Sequence, residues 1–269
     1  MKSEHLNSAN IRGCSVAWRE AGTGPALVLL HGIGGGSENW HCQIDQLQNN
    51  FRVIAWDMPG YGESEKFKTS CPNVDDYVNS LSALLEYLGI TKVNVLGQSI
   101  AALIAARFCK SFPERVLSYI FAHGLTGLGG LDNASRLVAK KARLEVFDAL
   151  GPQRFAREKG PAIMSPNVAK EIREKAVEIM ARVKPEGFRQ AVEMLCEANF
   201  FLDAPFIRVP SLVLCGGDDP ISPEPLCQAV AEALPDAHFR LIAHAGHYSA
   251  MEQPKIFNQI LGKFLAGVS

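Results

Sequence analysis

No apolar run in this 269-residue chain is long enough to cross a bilayer: the strongest stretch, Ala26 to Leu30, has five residues, where a spanning helix needs about 20. The opening stretch, Met1 to Asn10, is polar and leads to no apolar segment with a small-residue cleavage site. A cytoplasmic protein that stays off membranes is therefore expected. Neither sign of charge dominates, since 27 Lys and Arg face 28 Asp and Glu for a formal net charge of −1. These charges are interspersed rather than blocked into tails or stripes, which argues against nucleic acid as a partner. Seven cysteines are present, odd in number and never spaced C-x-x-C. They fit neither a disulfide framework nor a zinc site and read as reduced, mostly buried thiols. No G-x-G-x-x-G follows a strand and no G-x-x-x-x-G-K-[ST] occurs, so no nucleotide cofactor is expected; no other cofactor and no metal is expected either.

Hydrophobic residues make up 47% of the chain, enough for one large core or one core with a lid set into it. Val16 to Glu20 and Ala26 to Leu30 read as two short strands around the breaker sequence Ala-Gly-Thr-Gly-Pro, and a hairpin between them is expected. Strand and helix patterns then alternate: Phe51 to Trp56, Val74 to Leu88, Val93 to Leu96, Ile100 to Lys110 and Ser118 to Ala122. That alternation predicts an α/β fold whose parallel sheet is covered on both faces. From residue 125 to residue 205 only helical periodicity remains. There Val168, Ile172, Ile179 and Val183 can share one face of an amphipathic helix, with a charged solvated face opposite. The sheet pattern resumes at Ser211 to Cys215 and at Ala237 to Ile242, with helices expected over Pro223 to Leu234 and Pro254 to Leu265. The expected organisation is a core of residues 1–124 and 206–269 with a helical cap of residues 125–205 inserted in it.

Four segments carry chemistry. In Val93-Asn94-Val95-Leu96-Gly97-Gln98-Ser99-Ile100-Ala101-Ala102 an apolar strand runs into a helix through a serine flanked by small residues, the pattern of a nucleophile elbow. Gly97 and Ala101 leave room for a strained turn that lifts the Ser99 hydroxyl above the sheet edge, with the positive end of the new helix behind it. The usual motif ends in glycine; here the position is Ala101. A serine that merely caps a helix start would look similar on its own. The loop His31-Gly32-Ile33-Gly34-Gly35-Gly36 follows a strand and can offer unobstructed amide hydrogens. Its Ile33 N–H, with Gly34 as neighbour, and the Ile100 N–H are the candidate donors of an oxyanion hole. Asp218 and Asp219 both stand just past a strand end, and His244 and His247 both lie in the loop after the last strand. Serine, acid and histidine thus occur in that chain order, each at a strand end on the same side of one sheet. The remaining histidines need no catalytic role; His31 is suited to bracing its own loop, and His123 to structure or to lining a pocket.

Together these residues resemble the α/β-hydrolase superfamily over nearly the whole chain apart from the cap. His31-Gly32-Ile33 resembles that family's H-G-x oxyanion loop, and Asp57-Met58-Pro59-Gly60-Tyr61-Gly62-Glu63-Ser64 its mainly structural D-x-P-G-x-G-x-S stretch. Gly216, Asp219 and Pro223 resemble the G-x-x-D-x-x-x-P acid motif, and Gly246-His247 the G-H motif. The resemblance therefore implies Asp219 as the acid and His247 as the base. Where some members place the acid one strand earlier, this chain has His123 and Gly124; Asp132 is the nearest carboxylate. The subgroups it looks most like are bacterial enol-lactone hydrolases and small-molecule esterases of aromatic or heterocycle breakdown.

The implied activity is hydrolysis of a small carboxylic ester or lactone through an acyl-serine. A carbon-carbon bond hydrolase of ring-cleavage products is the alternative, although Tyr248 stands where such enzymes commonly carry tryptophan. A small-molecule receptor or a cofactor-free oxygenase on the same scaffold are alternatives of other classes. Serine at position 99 disfavours epoxide hydrolase or dehalogenase chemistry, which would use aspartate there. Phe147, Phe155, Ile163, Met164, Met194 and Phe200 could wall the substrate cleft. For a carboxylate substrate, one of Arg136, Arg143, Arg154 and Arg157 should face it. A small-molecule substrate is the expected partner.

Overall fold

Eight strands make one sheet in the computed structural model, which describes residues 5–268. They are β1 (His5–Ile11), β2 (Cys14–Ala21), β3 (Ala26–Leu30), β4 (Arg52–Trp56), β5 (Val93–Gln98), β6 (Val116–Ala122), β7 (Ser211–Gly216) and β8 (Ala237–Ile242). Their order across the sheet is β1-β2-β4-β3-β5-β6-β7-β8. The first two pairings, β1 with β2 and β2 with β4, are antiparallel, and all the others are parallel. Every residue of β3, β5 and β7 is buried, as expected of parallel strands with helices on both faces.

Alternate residues of those strands feed two separate cores. Val28, Leu30, Val95, Val213 and Cys215 face α2 (Val74–Tyr87), α3 (Ala101–Ser111) and α8 (Glu224–Ala233). Leu27, Leu29, Leu96, Leu212 and Leu214 face α1 (His41–Leu47) and α10 (Pro254–Gly267). The period of two along each strand sends its side chains to opposite layers.

The expected hairpin between Val16–Glu20 and Ala26–Leu30 does not form. The hairpin is β1 with β2, closed at Arg12 and Gly13, whose φ values are 53° and 85°. Strand β3 lies instead between β4 and β5. An entirely apolar strand needs parallel neighbours and two covered faces, whereas β1 is a mostly exposed edge whose polar residues hide it from a search for apolar runs. All of its residues but Ile11 fall within the stretch read as a polar terminus.

Between β6 and β7 the chain forms only helices: α4 (Asn133–Lys159), α5 (Lys170–Met180), α6 (Pro185–Glu197) and the short α7 (Phe200–Asp203). Helix α4 is broken at Gly151, with φ 67° and ψ 166°, just before Pro152. A residue preceding proline avoids the helical region and glycine alone tolerates this backbone. Helix α6 is fastened to the sheet side: Gln190 Nε2 donates to the Phe67 and Thr69 carbonyls at 2.9 and 2.6 Å. A Cβ on Gly187 would lie 2.2 Å from the Gly60 carbonyl oxygen, so the two backbones touch. A last short helix, α9 (Ser249–Glu252), precedes α10. No described helix is long and apolar enough to cross a membrane.

Candidate active site

The carboxyl ends of β3, β5, β7 and β8 open on one edge of the sheet, where ligands of open α/β sheets gather. Ser99 follows β5 directly, at φ 56°, a left-handed backbone that is strained for a side-chain-bearing residue. Three bonds hold it there: its N–H donates to the Ala122 carbonyl at 3.1 Å, and its carbonyl accepts from Ala102 N at 3.1 Å and Leu125 N at 3.0 Å. A Cβ at Gly97 would fall 2.3 Å from the Ala101 carbonyl oxygen, so glycine is obligatory two residues before the serine.

The bend aims the hydroxyl at His247: Ser99 Oγ lies 3.0 Å from His247 Nε2, and His247 Nδ1 lies 2.9 Å from Asp219 Oδ2. All three residues are buried. Asp219 Oδ1 accepts from the Ile221 and Ser222 amides at 2.8 and 3.1 Å. Burial pushes the Asp219 pKa up, but the hydrogen bond and charge of His247, with His123 and the Ser222 amide, outweigh it and hold the carboxyl below its ordinary value. An ionised Asp219 accepts the hydrogen bond of His247 Nδ1–H, which keeps the proton on Nδ1 and leaves Nε2 free to accept from Ser99. The histidine backbone is clamped as well: its N–H donates to the Ile163 carbonyl at 2.8 Å, and its carbonyl accepts from Gln98 Nε2 at 2.9 Å.

The neighbouring acid and histidine have other places. Asp218 accepts from Ser165 Oγ at 2.6 Å and so tethers the segment before α5. His244 is exposed, at φ 57°. His31 braces the glycine loop, accepting from Met58 N at 3.0 Å through Nε2 and donating to the Gly32 carbonyl at 2.8 Å through Nδ1. Burial lowers its pKa, against the pull of Asp57.

That loop passes directly over the serine, since a Cβ on Gly32 would lie 2.8 Å from Ser99 Cβ. Ile33 and Ile100 both line the same cleft as Ser99. Their amides donate to no backbone acceptor among the described residues. The cleft has a volume of about 600 Å³. Of the six apolar cap residues singled out above, Phe155 and Ile163 line it; Phe147, Met164, Met194 and Phe200 are buried in packing. Phe147 stacks on Phe188 with ring centroids 3.8 Å apart, and Phe188 is the one that reaches the cleft. Of the four arginines, Arg143 lines the cleft; Arg136 pairs with Glu197 and Arg154 with Glu158.

Two further groups support the site: Glu252, which the sequence reading missed, and His123, which it assigned to structure or to lining a pocket. Glu252 accepts from the Ser165, Gly246 and Tyr248 amides, at 2.9, 2.9 and 3.0 Å, and pins the histidine loop. Burial raises its pKa in spite of those donors. His123, at φ 50°, bonds Ser249 Oγ through Nε2 and turns Nδ1 toward Asp219 Oδ2, 3.6 Å away. Burial drives its pKa down to about 4, against the attraction of Asp219. The only hint in the chain was its place at the end of β6, where a triad acid can stand.

An elbow serine, a histidine and a carboxylate on the carboxyl edge of this sheet define the hydrolase type of α/β fold, and comparison agrees. The alpha/beta hydrolase fold family matches residues 25–171, and the chain belongs to it. The chain is 30% identical over 266 residues to the dihydrolipoyllysine-residue acetyltransferase component of the acetoin cleaving system of Pseudomonas putida, covering 96% of this chain and 68% of that protein. It is 28% identical over 270 residues to a 2-hydroxy-6-oxononadienedioate/2-hydroxy-6-oxononatrienedioate hydrolase of Paraburkholderia phymatum, covering 93% and 90%. Among solved structures, a thermophilic esterase from Thermogutta terrifontis superposes with a TM-score of 0.88 at 26% identity, covering 98% of this chain and 99% of that one.

Proposed function

We propose that this protein is a serine hydrolase that cleaves a small carboxylic ester or lactone through an acyl-serine intermediate. The observation that carries this reading is the unbroken relay from Ser99 Oγ through His247 to Asp219, at 3.0 and 2.9 Å. In the first half-reaction His247 Nε2 takes the Ser99 proton as the oxygen attacks the carbonyl carbon. The Ile33 and Ile100 amides receive the developing oxyanion, each worth about 10²-fold or more in rate. Collapse of the tetrahedral adduct breaks the bond to the leaving oxygen, which takes the proton from His247. Water then adds to the acyl-serine with His247 as base, and the acid departs as Ser99 regains its proton.

Three further facts support the reading. The cleft is lined mainly by apolar groups, it is of a size suited to a small molecule, and Ser99 is part of its wall. A carbon-carbon bond hydrolase is the second reading, favoured by the name of the Paraburkholderia phymatum relative. Incubation with short-chain aryl esters and with a serine-directed phosphonate separates these outcomes. Ester turnover and a covalent adduct on Ser99 are expected, both abolished in Ser99→Ala. Labelling elsewhere, or undiminished turnover in the variant, overturns the assignment. Cleavage of a dienoate ring-cleavage product without ester turnover selects the second reading.

A further inference from the structure

Resting on the ester hydrolase reading, we infer that the substrate carries an anionic group, a carboxylate at the end of its acyl chain, received by Arg143 and Lys159. Among the residues lining the cleft these two are the Lys and Arg side chains, and no Asp or Glu lines it. The carboxylates nearest the chemistry are turned elsewhere, Asp219 to His247 and backbone amides, Glu252 to backbone amides.

Most neighbouring cations are neutralised, and Arg157, which like these two forms no ion pair among the described residues, does not line the cleft. On α4 itself Arg136, Lys140, Lys141 and Arg154 each pair with a glutamate. Arg143 and Lys159 form no ion pair among the described residues, and Arg143 Nη1 donates only to the Ala139 carbonyl, at 3.2 Å, leaving the rest of the guanidinium fork unused. Lys159 is the last residue of α4, where a cation suits the helix dipole. Arg143 lies well inside the helix, away from either end of its dipole.

Helical spacing explains their aim. Arg143 precedes Val146 by three positions and Lys159 follows Phe155 by four, and all four residues line the cleft. The break at Gly151 lies between the pairs, so each half of α4 brings one cation and one apolar side chain to the same cavity. Both cations are exposed, so a neutral acyl chain seated there gains nothing from them. A carboxylate pairs with both, bidentately at arginine, and the apolar wall between accepts the methylene chain.

The test uses the full-length protein and matched 4-nitrophenyl esters: the monoester of adipic acid and the same ester with its distal acid methylated. The native enzyme should favour the free acid in kcat/KM by about tenfold, the sum of two partly exposed ion pairs. Arg143→Gln and Lys159→Gln should each reduce that ratio about threefold, and the double variant should abolish it while turnover of the methylated ester is retained. Added salt should lower the ratio in the native enzyme and leave the double variant unchanged. Equal turnover of the two esters by the native protein, or a preference that survives in the double variant, overturns this inference alone. Turnover of neither ester, with no phosphonate adduct on Ser99, overturns the hydrolase reading beneath it.

Discussion

Strand β5 and helix α4 are opposites in packing: all six residues of β5 are buried, whereas of the 27 residues of α4 only Phe147 and Ala156 are. The strand delivers Ser99 through a turn with no spare room, where a Cβ at Gly97 or Gly32 meets its neighbours at 2.3 or 2.8 Å. The helix is held by fewer contacts, chiefly the Phe147–Phe188 stack and surface ion pairs, and its break lies in open space. Reacting atoms must be held to fractions of an ångström, which a close-packed sheet edge can do. A surface that only receives the far end of a substrate tolerates looser support. Changes on the sheet side should therefore alter rate or folding, and changes on α4 should alter which substrate is preferred.

The largest effect expected of this contrast is at Asp219. Asp219→Asn preserves shape but no longer holds the Nδ1 proton on His247, and kcat should fall about 10⁴-fold with the fold intact. Ester kinetics alongside circular dichroism check it; a loss below tenfold would place the acid elsewhere. Gly97→Ala comes next. With backbone 2.3 Å from the new methyl and no flexible side chain to yield, it should cost about 4 kcal/mol in urea denaturation. A cost under 1 kcal/mol would mean that the elbow is as yielding as the cap.

The third effect separates the two regions by pH. His123 is buried beside Asp219 with its pKa lowered to about 4 from the ordinary 6.5. The unfolded chain therefore binds this proton first as the pH falls. Stability from this group is complete above pH 6.5 and is lost down to about pH 4, by about 3 kcal/mol in all. Asp219, held below its ordinary value, acts in the same sense at still lower pH. Urea midpoints at pH 7 and pH 4 should differ much less in His123→Asn than in the native protein. An unchanged difference would show that acid instability arises elsewhere.

The same contrast explains what could be read from the chain. Strand β5, its elbow and the order Ser99, Asp219, His247 are local signals, an apolar run followed by small residues and a fixed sequence of loops, and they emerge from one dimension. The choice between Asp218 and Asp219, or His244 and His247, is invisible to residue type. It is made by which carboxylate the Ile221 and Ser222 amides hold and which imidazole it meets. Strand β1 stayed hidden because an exposed edge strand carries no apolar run. The cleft wall was half legible: helical spacing says which residues share a face, and the tertiary angle of each helix decides whether that face meets the cavity or another helix. Phe147 and Phe188 exchanged places for that reason.

The smallest expected effect tests the open side of the comparison. Gly151, at φ 67° and ψ 166°, would give an added Cβ no neighbour within 4 Å. Gly151→Ala thus meets only backbone strain, about 2 kcal/mol, half the cost expected at Gly97 where contact adds to conformation. Straightening α4 is not an available relief, because Pro152 disfavours a helical residue before it and cannot donate within the helix. The strain should instead shift the two halves of α4 relative to each other, moving Lys159 and Arg143 and leaving the sheet edge alone. Turnover of a small neutral aryl ester should remain within about twofold of native, since the contacts among Ser99, His247 and Asp219 do not involve the break. If that turnover collapses while the protein stays folded, the cap positions the reacting groups as well as the substrate, and the division between the two regions fails.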